Sequence, residues 1–165
     1  MKLQHELKRP QPFASPQQEV LAGLLRIGDQ LDNRLSRFFR DRGLTLSRFN
    51  VLRILDLAQR PLTCGEIGER MIQIVPAITS LVDHLEHRGL VQRQRCDSDR
   101  RVVHVCLTAA GKELVADAVQ PLAAMENQLF HRLSPCQLTQ LIELLDSVRQ
   151  SLSACDGVPA TQPGD

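Results

Sequence analysis

Between residues 45 and 107 the sequence passes from helical to strand patterning in an order that few folds accommodate. Phe49, Leu52 and Leu55 form a helical stripe from about Ser47 to Ala58, which Arg60-Pro61 ends. Thr63-Cys64-Gly65-Glu66 then reads as a capping box that opens a short helix carrying Ile67 and Met71 inward. A third stripe, Ile78, Leu81, Val82 and Leu85, predicts a helix from about Val75 to Arg88, with Pro76 in its first turn and Gly89 as its cap. Three short helices with a tight connection between the last two make a helix-turn-helix. Leu90–Arg95 and the β-branched run Val102–Leu107 follow as strands around a polar turn, Cys96–Arg101, so a β-hairpin wing is expected after the third helix.

The flanks return to helix. Ser15-Pro16-Gln17-Gln18 opens a helix expected to run from about 16 to 42 and to stop near Gly43, with Leu21, Leu24, Leu25, Leu31, Leu35, Phe38 and Phe39 on one face. At 1.5 Å per residue it spans roughly 40 Å, more than so small a core can cover. Thr108 to about Leu133 forms another, with Pro121 predicting a kink or a break. Ser134-Pro135-Cys136-Gln137 caps a last helix carrying Leu138, Leu141, Ile142, Leu145, Val148 and Leu152. Helices with apolar stripes this far from the centre fold back on it or pair with a second copy, and their length favours a homodimer. The expected organisation is a flexible arm (1–15), a dimerisation helix (16–45), a winged helix-turn-helix domain (46–110), further dimerisation helices (111–153) and a disordered tail (154–165). The fold class is mainly α with a small β-hairpin wing.

Composition narrows the function. Apolar residues are 42% and charged residues 24% of the 165, enough to bury a sizeable core. With no Trp, no Tyr and five Phe, aromatic platforms for single-stranded nucleic acid are nearly absent. No apolar run approaches the ~20 residues of a membrane span, and no signal-peptide segment opens the chain, so no membrane partner is expected. Five scattered Cys fit a reduced, cytoplasmic protein better than a disulfide scaffold. The net charge of +1 hides an asymmetry: +3 over residues 1–69, +3 over 70–112 and −5 over 113–165. A basic middle beside an acidic C-terminal third suggests different partners for the two.

The run Leu52–Gly111 resembles the MarR family of bacterial winged-helix transcriptional regulators. The resemblance is carried by Leu62-Thr63-Cys64-Gly65-Glu66-Ile67-Gly68-Glu69-Arg70-Met71 and by Ile78-Thr79-Ser80-Leu81-Val82-Asp83-His84-Leu85-Glu86-His87-Arg88-Gly89-Leu90-Val91-Gln92-Arg93. Asp99-Arg100-Arg101 matches the family's wing signature, and Leu107-Thr108-Ala109-Ala110-Gly111 its close. Flanking helices of similar length extend it to about 16–152. The resemblance implies a triangular homodimer with interlocked terminal helices. Each subunit would present one winged helix-turn-helix to half of a pseudo-palindromic operator. Such regulators usually repress, and many release DNA when a small phenolic, lipophilic or oxidising effector arrives.

On a helical wheel, Pro76, Ser80, Asp83 and His87 lie opposite the core stripe, with Thr79 and His84 at the flanks. These residues are expected to enter the major groove of double-stranded DNA, the N-terminal ones nearest the base edges. The family often carries Arg where this chain has Ser80 and His84, which weakens the expected guanine and phosphate contacts. In the wing, Arg93, Arg95, Arg100 and Arg101 lie within nine residues. By resemblance Arg101 would enter the minor groove, held by an ion pair to Asp99, and a narrow A·T-rich groove would favour it. If His84 and His87 lie near phosphates, binding should tighten as pH falls through ~6.5.

Cys64, in the first turn of its helix, is the candidate redox residue, and Cys136 sits comparably on the last helix. The oxidant-sensing branch of the family keeps its reactive Cys near the start of the first long helix, where this chain has none. His84, His87, Cys96 and His104 lack metal-site spacing, so no metal is expected. Nor does the sequence hold a glycine-rich phosphate loop, a nucleophile elbow or a carboxylate pair, so neither a cofactor nor an enzymatic activity is expected. Two alternatives to an effector-controlled repressor are a thiol-based redox regulator and a winged-helix protein-interaction module without DNA binding.

Overall fold

The computed structural model describes residues 3–95, 99 and 101–156. Its elements are, in order, α1 (Leu3–Glu6), α2 (Pro16–Arg40), α3 (Leu46–Ala58), β1 (Leu62–Thr63), α4 (Cys64–Glu69), α5 (Ile78–His87), β2 (Val91–Arg95), β3 (Val103–Leu107), α6 (Ala109–Phe130) and α7 (Pro135–Asp156). The chain divides into two units, residues 1–117 and 118–165.

In the first unit, short polar side chains set the helix starts. Ser15 accepts the Gln18 N–H at the head of α2, and Thr45 accepts the Arg48 N–H at the head of α3. At α4 the capping box closes in both directions: Thr63 Oγ1 accepts the Glu66 N–H at 3.2 Å, and Glu66 Oε2 accepts the Thr63 N–H at 2.8 Å. Gly89 ends α5 at φ +67°, with its N–H donating to Glu86 and that of Leu90 to Leu85. This closing motif needs a left-handed residue, which glycine supplies without strain.

Two elements of this unit lay outside the sequence reading. The segment read as a flexible arm contains α1, and that expectation is corrected there. Glu6 accepts hydrogen bonds from Arg26 at 2.9 Å and Gln30 at 3.1 Å, fixing the short helix to α2. The hairpin is also wider than expected. Leu62 pairs with Val105 and Thr63 with His104, so β1 joins the far edge of β3 and the sheet runs β1-β3-β2, all antiparallel. Leu62 and Val105, both fully buried, hold this edge to the core.

That core gathers Phe39, Val51, Leu52, Leu62, Ile67, Val82, Leu85 and Val105, each with no exposed surface. Phe39 stacks on Phe49 with ring centroids 4.4 Å apart. Thr108 ties the end of β3 to the turn after α5: its hydroxyl donates to the Gly89 carbonyl at 2.7 Å and accepts the Gly111 N–H at 3.1 Å. A Cβ on Gly111 would fall on the Leu90 carbonyl oxygen, so the close of the wing admits no side chain there.

Pro121 does not break its helix into two elements, since α6 runs through it from Ala109 to Phe130. Proline lacks the N–H that would bond the Asp117 carbonyl, and the boundary between the two units falls immediately after Asp117. In the second unit Ser134 and Gln137 cap α7 reciprocally, at 3.3 and 2.9 Å. The helix continues to Asp156, past the expected end of order at 153, because nothing in Leu152–Asp156 breaks it. The rest of the expected tail, 157–165, lies outside the described residues. None of the side chains described on α7 is buried.

Candidate nucleic-acid interface

The helix expected to face DNA begins later than the sequence suggested. Pro76 and Ala77 form an exposed turn, and α5 starts at Ile78 without a side-chain cap, because Ala77 has no oxygen to offer. Proline also biases the preceding Val75 away from helical geometry, which keeps the approach irregular. Pro76 therefore lies before the helix rather than in its first turn.

From Ile78 the amphipathic pattern holds. Val82 and Leu85 are fully buried, Ile78 and Leu81 half-buried, and Thr79, Ser80 and His87 exposed. Asp83 and His84 are half-buried at the flanks. His87 Nδ1 lies 2.9 Å from the Asp83 carbonyl oxygen.

Arg93 and Asp83, both expected on the DNA face, are joined to each other. The Arg93 guanidinium lies 2.6 Å from Asp83 Oδ1 and 2.6 Å from Glu86 Oε2, and its backbone N–H donates to Glu86 Oε1 at 3.0 Å. Desolvation opposes the charge on Arg93, but the hydrogen bonds and the two carboxylates outweigh it and raise its pKa further. The arrangement clamps β2 to α5. It sets the angle between wing and helix and leaves these two charges little to offer a partner.

At the other end of the hairpin, Arg95 and Arg101 are exposed. Asp99 Oδ1 accepts the backbone N–H of Arg101 at 2.9 Å, and the Asp99 carbonyl accepts the Val102 N–H at 2.9 Å. Among the described residues no side-chain ion pair joins Asp99 to Arg101. The expected pair is thus corrected: Asp99 shapes the turn through the backbone and does not hold the Arg101 guanidinium. Arg100 and Cys96 lie outside the described residues.

The charge that α5 lacks comes partly from its neighbours, a feature the sequence reading missed. Burial lowers the pKa of His84 below its ordinary 6.5, helped by the nearby Arg48, Arg88 and His87. Arg48 belongs to α3, and Arg88, at the end of α5, donates to the Gly43 carbonyl. The only signal available in sequence was that Arg48 sits one turn into a helix that backs the recognition helix. The lowered pKa also moves His84's gain of charge to below pH 6.5.

Among the described residues the thiols are dispersed. Cys64 is half-buried in the first turn of α4, and Cys136 is exposed on α7. Cys106 Sγ lies 3.5 Å from Gln94 Oε1, and burial pushes its pKa up. His104 sits in β3 between Thr63 and Gln94. Among the described residues no three His, Cys, Asp or Glu side chains gather into a metal site, and no helix is long and apolar enough to cross a membrane.

A three-helix unit backed by a three-stranded sheet, with an arginine-bearing hairpin beside its last helix, is a winged helix-turn-helix. Residues 44–103 match the MarR family. The chain is 32% identical over 107 residues to the uncharacterized HTH-type transcriptional regulator YkoM of Bacillus subtilis (strain 168), an alignment spanning 64% of this chain and 68% of that protein. Among solved structures, AbsC, a MarR family transcriptional regulator from Streptomyces coelicolor, superposes with a TM-score of 0.77 at 21% identity, over 87% of this chain and 99% of its own. The C80S mutant of E. coli MarR, complexed with operator DNA, gives a TM-score of 0.69 at 25% identity, over 78% of this chain and 92% of its own. The chain belongs to the MarR family. It is a winged-helix transcriptional regulator and not an enzyme.

Proposed function

We propose that the protein is a cytoplasmic repressor that binds a pseudo-palindromic operator as a homodimer and is released by a small-molecule effector. The observation that carries this reading is the division of α5: Val82 and Leu85 have no exposed surface, while Thr79, Ser80 and His87 stand in solvent beside a wing whose Arg101 is exposed. A helix held this way by its back leaves its polar face for the major groove. In this reading Thr79, Ser80, His84 and His87 meet bases and phosphates, with Pro76 leading the helix in. Arg95, Arg100 and Arg101 hold the backbone and the minor groove. Asp83 and Arg93 act as positioning groups, and Asp99 shapes the wing tip.

The bound operator in the E. coli MarR structure supports DNA as the partner. Two apolar faces support the dimer: Val20, Leu21, Leu25 and Ile27 are exposed on α2, and Ile142, Leu144 and Leu152 on α7. An open cavity of 380 Å³ lined by Arg42, Ala110, Glu113, Leu114 and Asp117 offers room for an effector with both apolar and charged groups.

The test is fluorescence anisotropy of the full chain on DNA from its own promoter region, titrated with salt and nonspecific competitor. Binding that survives competitor and weakens steeply with salt is the expected outcome. Loss of all binding to competitor on every promoter fragment would overturn the reading and favour a protein-interaction module.

A further inference from the structure

The loop between α4 and α5 holds two isoleucines that the fold does not use. Ile72 is 85% exposed and Ile74 fully exposed at 101%, although the residues around them are held. Met71 donates its N–H to the Gly68 carbonyl at 3.2 Å, Met71 and Val75 are half-buried, and Gln73 donates its side-chain amide to Asp32 of α2 at 3.3 Å. Anchored on both sides, the loop holds Ile74 four residues before the uncapped start of α5, at the end of the recognition helix that lies nearest base edges in a helix-turn-helix complex.

From Met71 through His87 there is no Lys or Arg, so this tip has no bidentate partner for guanine. Ala77 adds no polar atom, and the first hydroxyl is that of Thr79. What the tip does present is a branched aliphatic side chain. The apolar group that base edges offer in the major groove is the C5-methyl of thymine. We infer that Ile74 reads a thymine methyl, making it a specificity determinant of the operator. The inference rests on the DNA-binding reading above. Contact of Ile74 with that methyl removes both apolar surfaces from water, and a cytosine or a purine at the same position offers no equivalent group.

Deoxyuridine tests this directly, because it keeps every hydrogen-bonding atom of thymidine and lacks only the methyl. The operator is first selected from randomised duplexes with the full wild-type chain. Each thymine is then replaced singly by deoxyuridine, and affinity is measured by anisotropy for wild type, Ile74→Ala and Ile72→Ala. At one thymine in each half-site the wild type should lose about fourfold in affinity, the burial of one methyl group. That loss should vanish in Ile74→Ala and persist in Ile72→Ala. Insensitivity of the wild type at every thymine overturns the inference without involving a variant. An equal loss in Ile74→Ala, or loss of sensitivity in Ile72→Ala instead, also overturns it. Failure of the selection to enrich any duplex overturns the DNA-binding reading itself.

Discussion

The winged region treats its apolar residues in the opposite way from α7 and the first half of α2. In the former, Leu52, Leu62, Ile67, Val82, Leu85 and Val105 have no exposed surface. On α7 not one described side chain is buried, and Ile142, Leu144 and Leu152 are each at least three-fifths exposed. Along α2 the same change occurs within one helix: Phe39 near its end is buried, while Val20, Leu21, Leu25 and Ile27 are open. The first region finds its folding partners within one chain. The second has the stripes of a core and no core to fill, which is the condition of a surface that gains from a second copy.

The sharpest way to break this contrast is to charge the open stripe. Ile142→Lys removes about 2 kcal/mol of burial from each of two copies, about 4 kcal/mol per dimer or roughly a thousandfold in Kd. Sedimentation should find a monomer at micromolar concentration, with the thermal transition of the winged region retained. A dimer of unchanged strength would remove α7 from the interface.

The converse experiment strikes the closed region. Gly111→Ala drives a methyl into the Leu90 carbonyl oxygen, and the required backbone shift should cost about 3 kcal/mol. Urea unfolding of the winged region should report it. A loss below 1 kcal/mol would mean that the junction between β3 and α6 gives way easily.

Arg101→Ala tests the surface that the closed region supports. It should cost about 2 kcal/mol of operator binding and lower the salt slope by about one, while stability and dimerisation stay as they are. Wild-type affinity at two salt concentrations would argue that the wing does not touch DNA.

The smallest expected effect concerns the capping box. The Thr63 N–H and the Arg60 guanidinium, 2.7 Å from Glu66 Oε1, hold the Glu66 pKa down to about 2 from 4.5. Between those values the unfolded chain binds more protons than the folded one, so stability should fall as pH drops from about 4.5 towards 2. In Glu66→Gln that part of the pH dependence should be absent. His84 acts in the same direction at higher pH: its lowered pKa means that stability declines as pH falls below 6.5.

What could be read in the sequence was whatever a few neighbouring residues decide. The capping box at Thr63 and Glu66, the stop at Gly89 and the burial of Val82 and Leu85 all follow from local spacing. What could not be read depends on partners distant along the chain. β1 is two residues long and is a strand only because Leu62 and Thr63 meet Val105 and His104. Arg93 looked like one arginine among four in the wing, and only the fold brings Asp83 and Glu86 to it. The positive surroundings of His84 come from Arg48, on another helix. Ile74 carried no periodic signal at all, and its interest arises from complete exposure at the head of α5.

The central claim is that a self-sufficient DNA-reading region is paired through helices that are incomplete alone. Its most direct test is the stoichiometry of the complex, measured by sedimentation velocity of the wild-type chain with its selected duplex. Two chains per duplex, with a free protein of twice the 18.5 kDa chain mass, is the expected result. One chain per duplex, or a monomeric free protein that binds its operator at full affinity, would contradict it.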